Sequence, residues 1–471
     1  MNIKRITTVL LAAILLSGTA ATAQTLPPSI DNSKSKYFPP IINQTGGSCA
    51  QASYIGYMFT YEINRLLDRD GSEPKNNFSY LYTWNFVNEG IDQGSFGPEG
   101  VQLALSNGIM PDYLFPTQIG TWSFKWATGY EKYLEAMKYR AKSIENIPVS
   151  SEEGIQNAKK LLAEGDVLTF SGQSTGWKLN YSYSGPSETG YTYMITSFPT
   201  DGSHAMTIVG YDDTVEFSAP DGTSTKGAFI MCNSWGEAWA SKGRIYYPYW
   251  FFLQKRSSTV LSNDMTRIRV EVKDPKIVFK VGVECDSRDD LSFKTGVSNK
   301  GSDTTPMHNY SVGIANHAGG DHEMLGSHQG KEIEFGFDFS PYESRVNEMQ
   351  EPQFFLTVSR SKRGSEAATV ANLTKFEVYD YRTTPATVYT YEINGKIALK
   401  SGENVFGLPT VAPKKTSFSP VQWLSSTPNP DGKQPAAAPL VFRAADGKYY
   451  KVRLSEYDRT NGRIKIRYKQ M

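Results

Sequence analysis

The sequence predicts an α+β chain in which helices come first and a sheet second, followed by an all-β region. Three observations predict it. Apolar positions recur at helical spacing behind Cys49, short apolar runs broken by Gly, Pro and Asp begin near Val167, and from about Arg267 seven more such runs follow with turn residues between them. A length of 471 residues suits roughly two to four domains.

Met1 to Arg5 is positive, Ile6 to Gly18 is apolar, and Ala21-Thr22-Ala23 offers a small-residue cleavage site. Residues 1–23 therefore read as a secretory signal peptide, which places the mature protein in the periplasm or outside the cell. No later run approaches about 18 apolar residues, so no membrane span is expected. Residues 25–40 carry Pro27-Pro28 and Pro39-Pro40 and read as an extended lead-in.

From Cys49, the positions Ile55, Met58, Phe59, Ile63, Leu66 and Leu67 mark one helix, with Ser48 as N-cap and Asp70-Gly71 as its stop. Cys49 then lies in the first turn. Further helices are expected over 78–87, 101–106 and 153–163, and strands over 167–170, 205–211 and 227–232. Residues 177–199 form a long loop rich in Tyr, Ser and Gly. These elements make up one domain, 24–266.

Strands over 276–284, 291–297, 310–314, 333–339, 354–358, 376–381 and 388–393 predict a sandwich-like domain, 267–405. Residues 406–439 hold seven prolines and read as a linker. Residues 440–471 form a terminal β segment, with Asp446-Gly447 and Asn461-Gly462 as turns.

Lys and Arg number 49 against 48 Asp and Glu, so no net field favours nucleic acid or an anionic membrane surface. Three cysteines permit at most one disulfide. In an exported chain the odd cysteine points to a reactive thiol, against the plainer reading of inert buried thiols. Cys232 lies in an apolar run and Cys285 in a strand-like segment, and both read as buried.

Three short blocks carry the chemistry: Gln44-Thr45-Gly46-Gly47-Ser48-Cys49, Ser203-His204-Ala205 and Asn233-Ser234-Trp235-Gly236. Of five histidines, His308, His317, His322 and His328 crowd into one late stretch, which leaves His204 to serve Cys49. A free thiol is mostly protonated at neutral pH, whereas a helix N-terminus and an adjacent imidazole together favour the thiolate. Asn233 suits the task of holding the ring in one tautomer, with Trp235 covering that bond from water. Gln44 is the candidate side-chain donor to a developing oxyanion, beside the backbone N–H of Cys49.

In these blocks, in Val209-Gly210-Tyr211, and in Trp239 with Lys242-Gly243, the chain resembles the papain family of cysteine peptidases over residues 38–250. The resemblance implies a two-lobed fold, with a helical lobe carrying Cys49 and a β-rich lobe carrying His204 and Asn233. It also implies Cys49 as nucleophile, His204 as base and later acid, Asn233 as orienter and Gln44 as oxyanion donor. Several departures stand out. Gln44 and Cys49 are one residue closer than usual, Ala50 replaces the usual tryptophan, the second cysteine is missing, and Gly97 and Gly100 are the nearest counterpart of the paired glycines beside bound peptide. About twenty residues between the cleavage site and Gln44 leave no room for a large pro-segment.

The plain alternatives are a structural thiol at Cys49, a core histidine at His204, a strand-end asparagine at Asn233 and a surface glutamine at Gln44. The stretch from His308 to His328 matches no zinc spacing and reads as a polar hairpin loop. Neither a metal nor a cofactor is expected. The function expected is hydrolysis of peptide or protein substrates by an exported cysteine peptidase. The alternative is an inactive papain-like protein that binds peptide or protein, and the β domain offers a further surface for a protein or cell-surface partner.

Overall fold

The helical signal behind Cys49 is realised as one rod, built from an α-turn Cys49–Gln51, a wider π-type stretch Ala52–Phe59 and an α-helical stretch Thr60–Leu66. The computed structural model describes residues 25–116, 124–180, 189–317, 319–361, 370–410, 440–443, 449–458 and 463–470. The expected signal peptide, most of the expected linker and part of the tyrosine-rich stretch 177–199 lie outside them. Ser48 occupies the cap position, but its hydroxyl donates backwards to Thr45 O at 2.5 Å. All eight residues of the π-type stretch are buried, which makes the rod a core element rather than a surface helix.

The helices Tyr80–Val87 and Gly97–Ser106 pack on the rod, while Tyr130–Ala136 packs on the strand Glu332–Asp338 and Glu152–Ala163 on the strands His204–Ser218 and Tyr139–Pro148. Against them stands a nine-stranded sheet with the order Tyr139–Pro148, Asp264–Val272, Leu168–Gly172, His204–Ser218, Ser224–Cys232, Arg244–Pro248, Met194–Ile195, Leu179–Asn180. Ser29–Asp31 pairs with the middle of His204–Ser218, through Ser29 opposite Asp212, so the expected lead-in includes a strand of the sheet. Asp264–Val272 crosses the expected boundary at 266/267 and pairs along its length with Tyr139–Pro148. The domain limit drawn from sequence thus cuts through a strand of the first sheet.

Beyond it are two antiparallel sheets. One runs Glu332–Asp338, Ile277–Cys285, Ala371–Asp380, Thr387–Thr390, with Ile397–Ala398 on Ala371–Asp380; the other runs His308–Ser311, Leu291–Ser298, Gln353–Arg360, Gly402–Pro409. Their rings meet, with Phe279 and Phe354 at 5.7 Å and Phe293 and Phe335 at 5.8 Å.

The helical part and the double-sheet part share one core, which runs from Phe38 to Leu408. Arg140 and Asp338 form an ion pair with both side chains almost wholly buried. Asn107 donates to Gly336 O at 3.2 Å and accepts from Asp338 N at 3.0 Å. Tyr130 stacks on Tyr379 at 4.7 Å, and its N–H donates to Glu334 at 2.8 Å. Removing one partner of such a buried pair costs about 3–5 kcal/mol, so the double-sheet part is not a detachable appendage. Residues 412–471 form a separate compact unit, in which Leu440–Arg443, Tyr449–Asp458 and Arg463–Gln470 make an antiparallel three-stranded sheet.

Candidate active site

Strand pairing brings two of the sequence blocks together. His204 opens one strand, Cys232 closes its neighbour, and Thr207 stands opposite Cys232, which delivers Asn233 to the imidazole. His204 Nε2 lies 2.7 Å from Asn233 Oδ1. That oxygen also accepts the Ser234 N–H at 2.8 Å, so it acts as an acceptor and the ring nitrogen facing it is N–H. The lone pair of the imidazole therefore sits on Nδ1.

Trp235 lies over the imidazole with ring centres 4.7 Å apart and planes inclined by 25°. Trp239 abuts Trp235 edge-on at 5.4 Å, and Trp177 lies 6.0 Å from Trp235 and 6.5 Å from His204. The indole, placed by sequence as a cover for the His204–Asn233 bond, takes up that position.

The thiol reaches the same place from the helical part. Ser53, one turn along the rod from Cys49, donates to Ala205 O at 2.9 Å. The backbone N–H of Ala205, the residue after His204, is within hydrogen-bonding reach of the Cys49 sulfur. Tyr57 ties the walls further, since its hydroxyl accepts the Ile42 N–H at 2.7 Å and donates to Asn233 O at 2.9 Å.

Gln44 stands on the cysteine side and is joined to the asparagine block. Its N–H donates to Ser234 O at 2.8 Å, and its Oε1 accepts from Ser234 Oγ at 2.6 Å. Its Nε2 donates to Gly46 O at 2.8 Å. Cys49, His204, Asn233 and Gln44 thus converge on one site.

Burial pushes the Cys49 thiol up from its ordinary value, offset in part by the N–H groups of Ala205, Ala50 and Cys49 itself. Burial also holds the His204 ring down, to about 4, against the opposing bond from Asn233. Burial thus opposes the thiolate that a helix start and a nearby imidazole favour. Desolvation disfavours both charges, the thiolate and the imidazolium.

Gly97 and Gly100 do not line a cleft. They belong to the helix Gly97–Ser106, where a Cβ would strike the Tyr54 ring at Gly97 and the Gln51 side chain at Gly100. The backbone lying beside the cysteine turn is instead Gln93-Gly94. Cys232 and Cys285 are buried and free, and Cys285 Sγ lies 3.0 Å from Ser287 O. His322 Nε2 donates to Gly90 O at 2.6 Å, and no group of three or more His, Cys, Asp or Glu is placed to hold a metal ion among the described residues.

Sequence reasoning missed Tyr57, the use of Ser234 as a tether for Gln44, and Asp92, whose Oδ1 accepts the Gly47 N–H at 2.9 Å. Asp92 left no signal, because its partner is a backbone amide 45 residues away.

No protein-family model and no curated protein matches the chain. Among solved structures it is similar to xylellain, a cysteine protease from Xylella fastidiosa, at 19% identity and a TM-score of 0.40, covering 53% of this chain and 88% of that one. It is also similar to procathepsin B from Trypanosoma congolense, at 14% identity and a TM-score of 0.35, covering 53% and 80%.

Proposed function

We propose that this chain is an exported, papain-like cysteine peptidase that hydrolyses peptide bonds through an acyl-enzyme on Cys49. As the thiol attacks the scissile carbonyl, its proton passes to His204 Nδ1 and the carbonyl electrons move onto oxygen. Gln44 Nε2 and the Cys49 N–H stabilise that oxyanion. The imidazolium then gives its proton to the departing amine, and water, deprotonated by the same ring, releases the acyl group.

The observation that carries this reading is the His204–Asn233 bond, whose acceptor is fixed by the Ser234 N–H and which leaves Nδ1 free to take a proton. Among the described residues no helix is long and apolar enough to cross a membrane. Peptide cleavage by the chain from residue 24, compared with its Cys49→Ala variant, is the direct test: Cys49-dependent turnover is expected, and equal rates in both would sink the proposal.

One observation favours a second reading, a cleft that binds peptide without cleaving it: burial raises the thiol instead of lowering it. Alkylation of Cys49 by iodoacetamide separates the two. A thiol served by His204 reacts at a rate that stays flat from about pH 5 to pH 8, whereas an unassisted thiol slows about tenfold for each unit of falling pH.

A further inference from the structure

We propose that Asp92 is a positioning residue for Gln44, and that the double-sheet part holds Asp92 in register through His322. The inference rests on the peptidase reading and extends it to a part of the chain outside the papain resemblance.

Its centre is the peptide unit between Gly46 and Gly47. The carbonyl of that unit accepts from Gln44 Nε2 at 2.8 Å, and its N–H donates to Asp92 Oδ1 at 2.9 Å. In a trans peptide these groups point in opposite directions, so one rigid plane is strung between the carboxylate and the glutamine amide. A charged acceptor on the N–H polarises the carbonyl and strengthens its hold on Gln44. Ser234 Oγ fixes Gln44 Oε1 at 2.6 Å, so both ends of the planar amide are clamped. The second Nε2 hydrogen has no protein acceptor among the described residues, and its direction is set by the other two bonds.

The loop bearing Asp92 is built for close approach. At Gly47 a Cβ would lie 2.5 Å from Gln93 C and 2.7 Å from Gly94 N, so only glycine lets the turn meet this loop. Trp84 Nε1 donates to Gln93 O at 3.1 Å, and Gly90 N donates to Asn88 Oδ1 at 2.9 Å.

The far side of the loop rests on the double-sheet part. Gly90, at φ +71°, faces the backbone of Gly319 and Gly320 so closely that a Cβ on Gly90 or Gly320 would overlap the opposing chain. His322 Nε2 donates to Gly90 O at 2.6 Å, and Phe124 stacks on that imidazole at 5.5 Å with planes 10° apart. Arg288 secures Phe124 by donating to its carbonyl at 2.9 Å. The path from His322 through Gly90, Asp92 and the Gly46–Gly47 plane to Gln44 is therefore continuous. It supplies a tether where the interval from Gln44 to Cys49 is one residue short of the papain pattern and the neighbouring cysteine is missing.

Four variants of the full chain test this: Asp92→Ala, Asp92→Asn, which keeps an Oδ1 acceptor, His322→Ala, and His322→Gln, which keeps a donor. Two quantities are read, kcat and KM on a peptide amide, and the alkylation rate of Cys49 by iodoacetamide, a reaction that forms no oxyanion. Asp92→Ala is expected to lower kcat about tenfold, a part of the roughly hundredfold or greater effect of losing an oxyanion donor, with KM and alkylation unchanged. His322→Ala follows in the same direction at about threefold, and Asn and Gln restore most of each loss. Wild-type kcat in Asp92→Ala overturns the proposal, as does an equal fall in alkylation, which would mean that the sulfur and not the amide had moved. A wild-type chain without Cys49-dependent turnover removes the peptidase reading and this one together.

Discussion

His204 is 4% exposed and Asn233 is wholly buried, both under a cluster of indole rings, whereas the facing turn presents Gly46 to solvent and is held by hydrogen bonds to a loop whose Asp92 is itself exposed. One wall is positioned by packing in a dry environment and the other by polar tethers at the rim. The difference teaches where each kind of damage shows. Changes in the imidazole wall act on stability as well as rate, since buried groups lose partners and packing together. Changes at the exposed rim of the facing wall, as at Asp92, act on rate, since solvent replaces what is lost there, although Cys49 itself is buried.

The harshest way to break the contrast is His204→Ala, which removes the base. Turnover is expected to fall by about 10³–10⁴, with the melting temperature reporting the cavity left beneath Trp235. A protein that kept its rate would show that the imidazole wall takes no part in the chemistry. Gln44→Ala sharpens the comparison from the other side. It is expected to lower kcat about a hundredfold while leaving thermal unfolding nearly unmoved, and a marked loss of stability would contradict the account of the rim.

Acid stability probes the buried wall alone. His204 is held at about 4, below the ordinary histidine value of 6.5, so the unfolded chain takes up its proton first as the pH falls. The stability this residue contributes above pH 6.5 is lost between 6.5 and 4, by about 3 kcal/mol. Comparing urea unfolding of wild type and His204→Gln across that window checks it, and the variant should lack this part of the slope. The smallest effect expected is from Trp235→Phe, which keeps a stacked ring on the imidazole and should cost about 1 kcal/mol or less. A far larger loss would assign the indole more than cover.

Much of this was legible because periodicity and core packing agree. The runs behind Cys49 and over 205–211 and 227–232 are apolar where the rod and the central strands are buried, apart from Leu66 and Leu67, which are exposed at the rod's end. The strand Tyr139–Pro148 was not legible, since it is a polar edge strand whose pairing with Asp264–Val272 supplies its conformation. Arg140 reads as a surface residue until Asp338, 198 residues later, buries it. In the candidate site, residue types and their order pointed to Cys49, His204, Asn233 and Gln44. Asp92 stayed hidden because its contribution is a bond to a backbone amide, which leaves no trace in residue type. The burial of the thiol was hidden for a different reason: a helix start and a nearby ring favour the thiolate and can be read from residue order, but the depth of burial that opposes it is a tertiary quantity.

The stacking of Trp235 on His204 at 4.7 Å has a practical consequence. An imidazolium quenches a neighbouring indole more strongly than a neutral ring does. The emission of this tryptophan, isolated as the difference from Trp235→Phe, therefore follows the charge on the base, and the site carries its own optical titration.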